Sequence, residues 1–158
     1  MKEESNLFGK EKDYGPSFKE HLFQQYKFYL ESAEKISDRR QVANAFFLTL
    51  NTAFISFIGF LVTQTDFTSF LFRLLIAVVG VAICLVWLFL INSYKQLNSV
   101  KFKVIHKIEE KLPLKLYDYE WDRLGEGKDN SKYFPFSHAE IYIPWIFGFL
   151  YVLILFFR

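Results

Sequence analysis

Three histidines, one cysteine and a short run of carboxylates are the side chains from which this sequence would have to build a reactive or metal-binding site. His21, His106 and His138 stand in separate polar segments, and no two share the close helical spacing of a zinc site. Surface or packing roles suit them better. His138 lies two residues before Glu140, which would make a proton-sensitive contact. Ser137 with Glu140 equally fits a capping box at a helix start, and that reading needs no chemistry. Asp118, Glu120 and Asp122 alternate with Tyr117, Tyr119 and Trp121, a pattern read as a docking segment with solvated or paired carboxylates; cation binding is the sharper alternative. Gly125-Glu126-Gly127-Lys128 lacks the strand, the helix and the following hydroxyl residue that a phosphate-binding loop requires. No catalytic, cofactor or metal site is therefore expected, and the chain is read as non-enzymatic. A membrane enzyme built on His106, His138 and Glu140 is the remote alternative.

Polar groups inside apolar runs are more informative. Asn44 and Asn51, seven residues apart, are expensive in lipid and must find partners, so they are candidates for hydrogen bonds between helices or between subunits. Thr49, Thr52, Ser56, Gly59 and Thr63 recur at spacings of three and four, which puts small or hydroxylated side chains on one helix face. Such a face lets helices approach closely, and Ala77, Gly80 and Cys84 offer a matching small face for packing within a hairpin. The alternative is that the stripe lines a wet lumen formed by several copies.

These residues belong to segments that separate sharply by charge. Residues 43–62 and 74–91 carry none, and at about 1.5 Å per residue either run crosses a bilayer core. A third uncharged run, 141–157, is at the lower limit, with Tyr142, Pro144 and Trp145 at its start. Between the runs the pattern is amphipathic and helical. Phe18, Leu22, Tyr26, Tyr29, Ala33 and Ile36 share a face ahead of the first run, and Tyr94, Leu97, Ile105, Ile108 and Leu112 follow the second until Pro113. The expected architecture is all-α. It comprises a flexible tail (1–16), an amphipathic helix (17–41), a first span (42–62), a short turn (63–73), a second span (74–91), a polar helix (92–112), an aromatic-rich loop (113–140) and a third span (141–157). The first 41 residues contain no apolar signal core, so the first span is expected to direct its own insertion. Lys27, Lys35, Arg39 and Arg40 before the first span, and five lysines after the second, outweigh the lone Arg73 between them, which predicts a multi-pass protein with its N-terminus in the cytoplasm. A net charge of +2, with no basic patch, gives no surface for nucleic acid.

The run Tyr26-Lys27-Phe28-Tyr29-Leu30-Glu31-Ser32-Ala33-Glu34-Lys35-Ile36-Ser37-Asp38-Arg39-Arg40-Gln41, leading into Asn44-Ala45-Phe46-Phe47-Leu48-Thr49-Leu50-Asn51-Thr52, carries a resemblance. With Tyr94-Lys95-Gln96-Leu97-Asn98, Glu120-Trp121-Asp122 and Pro144-Trp145, it resembles the RipA family of small octameric bacterial membrane proteins. More loosely, the arrangement is similar to two-helix membrane effector modules of antiphage systems. The first resemblance implies a homo-oligomer, eight-fold, in the bacterial inner membrane, and its name points to growth inside host cells; it transfers no catalytic residues. Two functions follow as expectations: a ring of identical subunits, acting as scaffold or channel in contact with membrane lipids, or an anchored protein that recruits a cytoplasmic partner. Trp121, His138 and Glu140 are the candidate contacts on the cytoplasmic side.

Overall fold

The computed structural model describes residues 7–9, 11–64, 69–125 and 136–156, with the backbone alone at 64 and 136–139. Its elements are α1 (Glu11–Tyr14), α2 (Phe18–Gln64), α3 (Phe70–Glu109), α4 (Leu116–Arg123) and α5 (Phe136–Ile154).

No glycine or proline interrupts the chain from Phe18 to Ile58, so the amphipathic and apolar segments expected in succession form one helix of 47 residues. The second pair likewise merges into the 40 residues of α3. At about 1.5 Å per residue these rods are roughly 70 and 60 Å long, twice the hydrocarbon thickness, so each has an apolar half and a polar half. Both pass the length and composition criteria for crossing a membrane, and only 17% and 33% of their most apolar windows are buried inside the protein. The core helix of a water-soluble domain would be covered. Here Phe46, Phe57, Phe60, Leu71, Leu85, Phe89 and Phe149 face outward, an apolar surface suited to lipid or to another subunit.

The rods form an antiparallel hairpin. Its level contacts are Tyr26 with Glu109, Ser32 with Lys101, Asn44 with Trp87, and Asn51 with Cys84. The turn expected over 63–73 is shorter, because α2 runs to Gln64 and α3 starts at Phe70. Helix α5 runs parallel to α2 and lies along the apolar half: Glu140 is level with Arg40, Tyr151 with Asn51, and Leu155 with Arg73. It starts earlier than expected, so Pro144 sits in the helix interior, fully buried. The expected capping box at Ser137 and Glu140 does not describe this end, since the Glu140 carboxylate is directed to Arg40.

At the polar end, the eight-residue α4 lies within the segment expected as an aromatic-rich loop. Gly125, at φ 72°, ends it in the left-handed conformation that glycine adopts without strain. The segment expected as a flexible tail also makes contacts. Tyr14 bonds to His21 at 2.8 Å, and the Lys111 ammonium lies 5.6 Å from the Phe8 ring centroid.

Candidate functional site

The buried layer of the apolar half is built on the two asparagines. Asn51 is fully buried; its Nδ2 donates to Phe47 O at 2.8 Å, and its Oδ1 accepts from the Tyr151 hydroxyl at 2.9 Å and, at 3.6 Å, from the Cys84 thiol. One amide thereby joins all three helices. Asn44 Oδ1 accepts from Trp87 Nε1 at 2.9 Å, and the Trp87 ring stacks on Phe47 and leans on Phe147. The Asn51 amide, the Asn44 carbonyl, the Trp87 N–H and the Tyr151 hydroxyl, each costly in hydrocarbon, thus find partners within the chain. The sequence marks both asparagines as candidates for hydrogen bonds between helices or between subunits, and within the subunit they bond between helices; it gives no sign of Trp87 and Tyr151, whose polar tips are invisible to an apolar count.

The small-residue stripe takes a different place from the one expected for hairpin packing. Thr49, Thr52, Ser56, Gly59 and Thr63 are all exposed, on the side of α2 turned away from α3. Three of the four hydroxyls bond back to their own helix, Thr52 to Leu48 O, Ser56 to Thr52 O, and Thr63 to Phe60 O, at 2.7 to 2.8 Å. The matching small face of α3 is filled by α5 instead. A Cβ on Gly80 would run into the Tyr151 ring, and one on Gly148 would touch Cys84. Ala77 and Cys84 are buried beside them.

Two charged contacts bracket this layer. Arg40 Nε lies 3.5 Å from Glu140 Oε2, with both side chains largely buried. At the other end Arg73 Nη1 donates to Leu155 O at 3.5 Å, placing a cation on the last turn of α5, where the helix dipole favours it.

The polar half holds a second polar centre that the sequence did not reveal. Glu109 is fully buried at the end of α3 and accepts the Tyr26 hydroxyl at 2.8 Å and the backbone N–H groups of Tyr117 and Asp118 at 3.2 and 3.1 Å. This carboxylate caps α4 and ties it to α2 and α3. Burial, then the Glu109 bond and charge, hold the Tyr26 phenol well above its usual range; burial and the carboxylates of Glu34, Glu120 and Glu109 push Tyr117 up as well. Beside this centre is a half-open cavity of about 270 Å³, with Leu30, Ala33, Phe102, Ile105 and Tyr117 as its apolar wall and Glu34, Ser37 and Asp38 as its polar rim.

Of the side chains considered for chemistry, His106 Nδ1 stands 3.6 Å from Asp118 Oδ1, His21 is bonded to Tyr14, and Trp121 is 40% exposed on α4. The His138 side chain lies outside the described residues. His106, His21 and Glu140 do not converge, and among the described residues no three His, Cys, Asp or Glu side chains gather as a metal site would need.

No curated protein and no solved structure matches the chain. A family model does: that of the octameric membrane protein family matches residues 23–158, which takes in all of α2 but its first five residues and the whole of α3, α4 and α5. With its two apolar rods and outward-facing apolar belt, the chain belongs to the octameric membrane protein family, 8xMP.

Proposed function

We propose that the protein is a non-enzymatic subunit of a ring in the bacterial inner membrane and that the ring acts as a scaffold, holding the polar halves of the rods as a collar on the cytoplasmic face. The observation that carries this reading is the filled interior of the subunit. Asn51, Trp87 and Tyr151 are buried to within 1% of completeness across the middle of the apolar half, so no path for water runs through one copy. Self-association follows from the family; the ring, its scaffold role and its orientation are our reading of it. The axial match of α5 to the apolar halves of α2 and α3, and its outward Trp145, Phe149 and Val152, support a third span. The excess of Lys and Arg on the polar halves supports a cytoplasmic N-terminus.

A channel along the axis between copies is the competing reading. The exposed Thr52, Ser56 and Thr63 hydroxyls donate to their own helix and keep their acceptor lone pairs outward, so they fit either reading. Reconstitution into vesicles loaded with a potassium-sensitive dye decides between the two: a scaffold leaves the flux at the level of empty vesicles, whereas a flux that rises with the number of assembled particles establishes a channel. A second function, recruitment of a cytoplasmic protein, is favoured by the exposed Leu116, Tyr119 and Trp121 on α4.

A further inference from the structure

We infer that neighbouring copies meet through the outer face of α2 on one and the outer face of α3 on the next, in a fixed register with Thr49 against Leu85 and Glu31 against Lys103. This inference rests on the oligomeric reading above and adds which surfaces form the seam.

The two faces lie on opposite flanks of the subunit. Glu31, Thr49 and Ser56 each stand two residues, roughly 200° of helix, from a residue buried in the bundle: Ala33, Asn51 and Ile58. On α3, Val78, Leu85 and Lys103 stand in the same relation to Gly80, Trp87 and Ile105. One flank is therefore the far side of α2 and the other the far side of α3. Helix α5 covers neither, because it packs on Phe54 of α2 and on Gly80 and Cys84 of α3. Surfaces on opposite flanks repeat head to tail, and such contacts close into rings.

The faces differ in the way a contact requires. On the α2 flank Thr49, Ser56 and Thr63 form a narrow small strip bordered by Val42, Phe46 and Phe60, which are 70%, 59% and 60% exposed, whereas the α3 flank is a ridge of large side chains, with Leu71 76%, Val78 58% and Leu85 57% exposed. Ridge into groove is the geometry of packed helices, and in lipid close packing is the main source of association. Rotation about an axis normal to the membrane keeps every residue at its own height, so the level contacts within the hairpin also set which residues face each other between copies. By those contacts Thr49 is level with Leu85, Ser56 with Val78, and Thr63 with Leu71. Each small residue meets a large one. In the polar half Glu31 falls level with Lys103, which puts one opposite-charge pair on the same flanks. Lys27 and Lys107, level with each other, are the like-charged exception, so the seam runs from the hairpin tip to Glu31 and ends before Lys27.

The test uses the full chain in lipid nanodiscs with Cys84→Ala, so that introduced thiols react alone. Chains carrying both Thr49→Cys and Leu85→Cys, treated with a short bis-maleimide, should give a ladder of covalent multimers. Thr49→Cys chains mixed with Leu85→Cys chains should stop at dimers, and either single variant alone should give none. Glu31→Lys or Lys103→Glu should lower the ladder yield roughly two- to five-fold at low salt, and the combined swap should restore it. Cross-linking of Thr49→Cys to itself, or no cross-link in particles whose mass shows them to be oligomeric, overturns the seam and leaves the oligomer standing. Particles of single-chain mass overturn both.

Discussion

Gly80 is the position where one added carbon should do the most damage, and the size of the effect follows from the contact between α3 and α5. In an exposed helix Gly→Ala stabilises by about 1 kcal/mol, because glycine loses more backbone entropy on ordering. At Gly80 the new methyl would fall inside contact distance of three atoms of the Tyr151 ring, at the stem of a side chain that is itself fully buried. That ring cannot swing aside without breaking its hydroxyl bond to Asn51. Overpacking of this kind costs roughly 1 to 3 kcal/mol, and loss of the hydrogen bond about 1 more, so after the entropy gain Gly80→Ala should be net destabilising by about 1 to 3 kcal/mol. Thermal unfolding followed by circular dichroism, at fixed detergent and protein concentration, should show a melting temperature lower by about 2 to 12 °C. The decisive comparison is made in a Tyr151→Ala background. There the space is open, and the same Gly80→Ala change should become stabilising by up to about 1 kcal/mol. Equal effects of Gly80→Ala in the two backgrounds would show that α5 does not pack on Gly80, and would remove the third helix from the bundle.

Three other outcomes are expected from the same contacts. Glu140→Gln leaves Arg40 buried without its counter-charge and should cost about 3 to 5 kcal/mol in melting experiments, while the exchange Arg40→Glu with Glu140→Arg should recover part of the loss. Tyr26 is held in its neutral form in the folded chain, so its contribution to stability is complete below its ordinary pKa of about 10 and is lost as pH rises through the elevated folded value; Tyr26→Phe should flatten the fall in melting temperature above about pH 10. Trp121→Ala, at an exposed site, should change stability by no more than about 0.5 kcal/mol; a larger loss would mean that α4 is covered in the assembled particle.

Much of this architecture is legible in the sequence because charge and periodicity act over many residues at once. The absence of Gly and Pro from Ser17 to Ile58 shows that the first amphipathic and apolar segments can be one rod, and the cost of an amide in hydrocarbon marks Asn44 and Asn51 before any partner is known. Periodicity says which residues share a face but not what that face meets. The Thr49 stripe and the Gly80 face look complementary, yet the structure gives the second to Tyr151 and turns the first outward. Contacts across a hundred residues, such as Arg40 with Glu140, leave no local signal. Glu109 was passed over among Lys107, Glu110 and Lys111; its one sequence clue is its position four residues after Ile105, on the edge of the buried stripe.

The central claim is that this chain works as one of several identical subunits around an axis normal to the membrane. Native mass spectrometry of the intact particle released from nanodiscs, with imaging of its symmetry down that axis, tests it most directly. Eight chains of 18.8 kDa related by a single eight-fold axis, with every subunit in the same orientation, is the expected result. A monomer, or a two-fold dimer with subunits facing alternately up and down, would contradict it.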